Sequence, residues 1–293
     1  MSLIIKGHGL IWGVTFVLSA LEVCAEPAPP PAAPPSRSTA PAQERPTRRA
    51  ASDAERLAEL RRLLKGERTE LAFGQIMRLF STWPRGEPRQ RALVEAMEGL
   101  EAWPDATRTT LGSPFQDDDG EVGDHAALVR HVVIYRLEQH GDRMIRLVTS
   151  SPWLAKATRF SIIRCELHPG PLARTPYLTA LTHLRISRTV LLDDELKELF
   201  ASQPLAGLTH LALNDVALHR GRLAWLLKAR FAARLRELTM VWAGLGDEEA
   251  AAIAAATWMD GLELLDVRHN HFSPHGRALL RGAPHLQNTR IVF

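Results

Sequence analysis

The chain has little cysteine. Two cysteines among 293 residues cannot staple a small fold or build a four-cysteine zinc site. No uncharged apolar run reaches the ~18 residues of a membrane-spanning helix, which excludes a polytopic membrane protein. Lysine is scarce, with 5 against 31 arginines, so the net charge of +3 reflects a composition bias as much as a selected surface. A G-x-S-x-G elbow, a phosphate-binding glycine loop and an H-E-x-x-H helix are all missing from the sequence. What is present is apolar substance: 45% of the residues are hydrophobic. That is enough for a packed core and excludes a wholly disordered chain.

Residues 1–25 read as a signal peptide. Lys6 and the α-amino group supply a positive start, Leu10 to Leu21 carries no charge, and Val23-Cys24-Ala25 offers small residues where a signal peptidase reads. Glu26 then opens the mature chain. Cys24, followed by Glu26-Pro27-Ala28-Pro29, also resembles the modified cysteine of a bacterial lipoprotein. Glu22 and Val23 depart from that pattern, and plain cleavage is preferred. Residues 26–51 hold eight prolines and form a Pro-rich disordered linker. The expected location is outside the cytoplasm, periplasmic or secreted, either free or tethered to a membrane through Cys24.

From Ser52 the pattern turns helical, and residues 52–116 form an all-α domain. Ser52-Asp53-Ala54-Glu55 fits a capping box, with Leu57, Leu60 and Leu64 following on one face. Further helices run from about Arg68 to Trp83 and from about Glu87 to Trp103, each stopped by proline after tryptophan. Residues 117–156 are expected to be an acidic loop and capping helices. Asp117-Asp118-Asp119-Gly120-Glu121 invites a calcium-loop reading, but Phe115 and Ala126 stand where that loop needs carboxylates. Asp124 is expected to cap a helix that buries Leu128, Val132 and Tyr135.

The second half repeats itself. Leu181-Thr-His-Leu184-Arg-Ile186 recurs in equal steps along the chain, from Leu181 to Leu208, to Leu235 and to Leu262. Every copy carries an apolar residue ten positions after its start: Leu191, Leu218, Leu245 and Phe272. A weaker copy begins at Ala157, and a last strand fits Leu286, Thr289 and Ile291, each a slightly shorter step from its neighbour. Over residues 157–293 the pattern resembles the leucine-rich-repeat family, L-x-x-L-x-L-x-x-(N/C)-x-L, in its long, ribonuclease-inhibitor-like bacterial form. The resemblance implies an α/β solenoid with parallel strands on a concave face and helices outside. Asn270 and Cys165 hold the N/C position of their repeats, whereas Thr189, Val216 and Ala243 replace it elsewhere. Some relatives carry a companion W-L-E-E-R-G-D segment, to which Leu137-Glu138-Gln139-His140-Gly141-Asp142 is similar.

Positions two, four and seven after each anchor should leave the sheet toward solvent. They place Arg159 and Arg164, then His183, Arg185 and Arg188, then His210 and Asp215, then Glu237 and Trp242 on one surface. This is the candidate partner-binding face, basic on the early strands and mixed on the later ones. Trp242 is either a binding hot spot or a ring tucked into a neighbouring turn. The acidic later strands and the export signal argue against nucleic acid. Cys165 reads as packing rather than a nucleophile. His269, His271 and His275 read as turn residues, because Pro274 prevents a helix from pairing the last two as metal ligands. The reading is a non-catalytic scaffold for a protein partner, with no cofactor and no metal. The alternative is a structural cell-envelope protein or lipoprotein that forms homo-oligomers through the C-terminal strand edge.

Overall fold

The computed structural model describes residues 51–111, 122–135, 141–165, 169–219 and 221–293. The signal-peptide and linker readings, Cys24, the acidic run 117–121 and the companion segment at 137–140 lie outside the described residues. Three helices come first: α1 (Asp53–Lys65), α2 (Glu70–Ser81) and α3 (Glu87–Gly99). The Ser52 capping box forms: its hydroxyl accepts from the Glu55 N–H, and the Glu55 carboxylate accepts from the Ser52 N–H. Leu60 and Leu63 of α1 are buried with Phe73, Ile76, Met77 and Phe80 of α2. Trp83 and Trp103 are buried after their helices end, because proline breaks the backbone ladder while the indoles stay in the core.

Seven parallel strands follow, hydrogen-bonded in chain order: β1 (His131–Tyr135), β2 (Arg159–Ile163), β3 (His183–Ser187), β4 (His210–Asn214), β5 (Glu237–Thr239), β6 (Leu264–Asp266) and β7 (Arg290–Val292). The helices between them are α4 (Gly141–Thr149), α5 (Gly170–Arg174), α6 (Asp193–Ala201), α7 (Arg222–Leu227), α8 (Asp247–Ala255) and α9 (Pro274–Gly282). The inward leucines stack in register: Leu184 beside Leu211, Leu211 beside Leu238, and Leu238 beside Leu265. All four are buried. Behind them, Leu196, Leu199 and Phe200 of α6, Leu223 and Leu226 of α7, and Ala250 and Ile253 of α8 close the core. No repeat buries its apolar side alone, so stability accumulates by stacking.

One backbone device recurs at the start of the strands. The Thr158 carbonyl accepts from both Thr182 and His183 N–H at 3.0 Å, and the Thr182 carbonyl accepts likewise from Thr209 and His210. The Thr209 carbonyl does the same for Arg236 and Glu237, and the Arg236 carbonyl for Glu263 and Leu264. At the N-terminal end the Arg108 carbonyl plays this part for Arg130 and His131, both at 2.9 Å. The Arg108 side chain is buried and donates to the carbonyls of Leu128 and Leu100, at 2.9 and 3.3 Å. The helical segment is thereby joined to the first strand and covers its edge. Burial, and then Arg130, lower the Arg108 pKa to about 10, which leaves it charged at neutral pH.

Three local expectations need correction. The stretch through Val132 and Tyr135 is a strand, not a capping helix, and its neighbour is β2. Val132, Val133 and Ile134 are β-branched and alternate across a half-buried surface. Asp124 opens a short 3-10 turn rather than an α-helix, and it pairs with the buried guanidinium of Arg89. The last strand pairs Leu265 with Ile291 and not with Thr289, so its register is shifted along the chain from the expected one. Leu286 instead occupies the turn before that strand, where Leu205 and Met259 are buried in their own repeats.

The seventh positions share an unusual conformation. Arg164, Arg188, Asp215, Trp242 and His269 have φ between 54° and 60°, and they are the non-glycine residues with positive φ among those described. Backbone hydrogen bonds hold four of them there: Arg164 donates to Ser187, Arg188 to Asn214, Asp215 to Val241 and Trp242 to Arg268. Left-handed backbone costs a residue with a β-carbon roughly 1–2 kcal/mol, while glycine's extra freedom in the unfolded chain costs about 0.4–1 kcal/mol. Arg188→Gly is therefore expected to leave the melting temperature within about 3 °C of the parent. Arg188→Val, which adds branching at the β-carbon, is expected to lower it further, by calorimetry.

Candidate functional site

The strand register turns the outward positions into rows. The first row runs His131, Arg159, His183, His210, Glu237. The second runs Ser161, Arg185, Ala212, Thr239, Asp266. The third is the left-handed row, from Arg164 to His269. All nine residues expected on the binding face stand in these rows. The structure adds His131, Tyr135 and Arg268, which sequence spacing did not single out. His131 and Tyr135 were missed with β1 itself, and Arg268 stands six residues after Leu262, a position outside the two-four-seven count.

In the first row the His183 and His210 rings stack, with centroids 3.9 Å apart and planes at 11°. Their Nδ1 atoms lie 2.8 Å from the hydroxyls of Thr182 and Thr209. His131 Nε2 lies 2.8 Å from the Ser161 hydroxyl. Burial, then Arg159 and His210, depress the His183 pKa from 6.5 to about 4, so the ring is neutral at physiological pH. An unfolded His183 takes its proton near pH 6.5, the folded one only near 4. Between these values the unfolded state holds more protons, so this contribution to stability is present above pH 6.5 and lost as pH falls toward 4. His183→Gln is expected to flatten that part of the decline when urea unfolding is compared at pH 7 and 4.5.

Charges on the face are unevenly compensated. Asp266 accepts from Arg268 at 2.7–3.2 Å, and this guanidinium holds the carboxyl below its usual range against the effect of burial. Asp215 lies 4.0 Å from Arg188, and Glu237 lies 3.8 Å from His210. Among the described residues no carboxylate stands within 4.0 Å of Arg159, Arg164 or Arg185. Arg185 donates to the Ser187 hydroxyl at 3.1 Å. The guanidiniums on β3 and the turn after β2 share a hollow of about 870 Å³ with Trp242.

Trp242 is 61% exposed and is not tucked into a turn. It stacks on His269 with centroids 4.7 Å apart and planes at 9°. On its far side a notch of about 280 Å³ is lined by Val190, Leu191, Ala217 and Ala243, and Val190 is exposed. The Cys165 thiol is buried and donates to the carbonyls of Ile134 and Ile163, at 3.5 and 3.3 Å. It bridges two repeats, as the N/C position should. Asn270 does so more fully: its amide donates to Met240 and Val267 and accepts from Ala243 and Leu245.

Strand, bridging side chain and outer helix thus recur with the leucine period. The fold is a leucine-rich-repeat solenoid. No family model and no curated protein matches the chain. Among solved structures the solenoid is similar to a leucine-rich-repeat protein of Leptospira interrogans, LIC12759, at 14% identity and a TM-score of 0.35. That match covers 65% of this chain and 51% of the other, so the chain spans about half the length of the Leptospira protein. It is also similar to an internalin of Listeria monocytogenes, at 12% identity and a TM-score of 0.34, over 82% of this chain and 94% of that one.

Proposed function

We propose that the solenoid is an exported, non-catalytic scaffold that binds a protein partner on its concave face. The observation that carries this reading is the outward surface of β2 to β5. It joins three arginines that face no carboxylate within 4.0 Å among the described residues to an exposed tryptophan stacked on a histidine. Tryptophan and arginine are the residues on which interface energy concentrates. Fixing them on strands and on a hydrogen-bonded left-handed turn reduces the entropy lost on binding. Residues 1–51 support the export part, through the uncharged run and the small residues before Glu26.

A photo-crosslinking amino acid placed at Arg185 or Thr239 of the full chain tests the binding part. The expected result is a protein adduct from both positions and none from Arg234, on the turn before β5. Equal yields from all three positions would set the reading aside. Mass spectrometry of the mature N-terminus tests export: a start at Glu26 means a free protein, and a lipid on Cys24 a tethered one. An intact Met1 would count against both.

A further inference from the structure

Resting on the concave-face reading, we infer that the partner presents an acidic, extended peptide segment with an apolar side chain three or four residues from its carboxylates. Arg188, Arg268 and His210 each face a carboxylate of this chain, whereas Arg159, Arg164 and Arg185 face none within 4.0 Å among the described residues. Arg164 and Arg185 line the hollow that holds Trp242, and Arg159 lines the adjoining one with Arg185, so Arg185 links a run of guanidiniums that no described carboxylate fills. Arg185 sits beside Ser161 in register, and its Nε donates to the Ser187 hydroxyl, which fixes the guanidinium against the sheet. A carboxylate there accepts charge-assisted hydrogen bonds, of which the bidentate arginine form is the strongest.

The apolar end of the site lies two to three strands away. Trp242 follows β5, and Val190 stands exposed beside the same notch. Neighbouring strands are about 4.8 Å apart, so the arginines of β2 and β3 lie roughly 10–14 Å from the Trp242 column. An extended peptide crossing the strands advances about 3.3 Å per residue. It covers that distance in three or four residues, with its carboxylates over the arginines and an apolar side chain against the indole. The Asp215 carboxylate lies along that path, and Glu237 stands at the other end of β5. They repel a phosphate backbone that places a charge at every residue, but they are tolerated by a peptide that is neutral between its two anchors. This favours an acidic protein segment over nucleic acid.

The test uses fluorescein-labelled dodecapeptides of glycine and serine bearing three consecutive glutamates and one leucine, titrated into the full chain and read by anisotropy. The leucine is placed one, four or eight residues beyond the last glutamate, and a dodecameric oligothymidylate serves as the competing class. The four-residue spacing is expected to bind tightest, with weaker binding at higher salt. Arg185→Glu is expected to reduce affinity about 30-fold, while Arg234→Glu leaves it unchanged. Trp242→Ala is expected to weaken the leucine peptide and not its leucine-to-serine counterpart, which separates contact with the ring from a general loss. Unchanged far-UV circular dichroism of each variant shows that its fold is intact.

Equal binding by peptides with glutamine in place of glutamate overturns the inference, and so does tighter binding by oligothymidylate or indifference to spacing. If concave crosslinks form with a protein that lacks an acidic segment, this inference fails while the binding function stands. If no concave crosslink forms, both fail.

Discussion

Replacing Leu211 by alanine is expected to lower the unfolding free energy by about 3 kcal/mol. Leu211 lies between Leu184 and Leu238 in the ladder, and its side chain is 2% exposed. Leucine-to-alanine changes in closed cores cost about 2–5 kcal/mol, and the outcome depends on how far the surroundings collapse into the space. Here collapse is resisted from both sides, because each neighbouring repeat is fixed by its own leucine and by the shared carbonyls of Thr182 and Thr209. In a one-dimensional stack the loss also weakens two interfaces at once. Ile291 on β7 is half-buried and has one neighbouring strand, so Ile291→Ala is expected to cost only about 1 kcal/mol. Urea unfolding followed by circular dichroism measures both, with the midpoint moving at constant slope. Equal losses at the two sites would contradict the stacking account.

Asn270→Ala carries the second large effect, about 2–3 kcal/mol. The Asn270 amide donates to the carbonyls of Met240 and Val267, at 2.7 and 2.9 Å. It accepts from the N–H groups of Ala243 and Leu245, both at 3.0 Å. Alanine strands these four backbone groups together, and buried backbone groups without partners are costly. The same position in other repeats is Val216 or Ala243, so the solenoid does not need an amide everywhere. There the gap is met differently: Asn214 Oδ1 accepts from Val241 at 3.2 Å, and the Ala243 carbonyl accepts from Leu218 at 2.9 Å. Native-state hydrogen exchange gives a local readout, with the Ala243 and Leu245 amides exchanging faster in Asn270→Ala than in the parent. Unchanged exchange at both would show that water replaces the amide without loss.

These two residues also show why part of the fold can be read from the sequence. Leucines that face one side of a strand and recur at a fixed interval leave a signal no single helix imitates, so the later repeats are legible in the residues alone. Val129, Val132 and Ile134 satisfy the same spacing as Leu208, Leu211 and Leu213. Yet Leu128, Val132 and Tyr135 also fit a helical face, and the step from His131 to its partner Arg159 departs from the regular period. The candidate face divides in the same way. Which side chains leave the sheet follows from counting, and all nine do. Which of them face a carboxylate depends on register and side-chain reach across strands, and linear spacing carries neither. The left-handed row gives little local signal, because Asp215 and His269 are types that favour that conformation but Arg164, Arg188 and Trp242 are not. It is imposed by hydrogen bonds from the next repeat. The union of the helical segment with the sheet depends on buried Arg108 and Arg89, residue types whose burial the sequence pattern does not announce.

The length of chain between paired strands varies, and it is shorter from Arg159 to His183 than from His131 to Arg159. The rows stay aligned all the same, because every arc returns to the same carbonyl of the preceding unit. Length changes are absorbed behind the sheet, and the three outward positions of each strand contribute little to what holds the arcs together. The outward surface and the stacked core are therefore written on separate sets of residues. Exchanging Arg185, Ala212 or Thr239 is expected to change the chemistry of the outward surface while leaving the leucine ladder behind it intact.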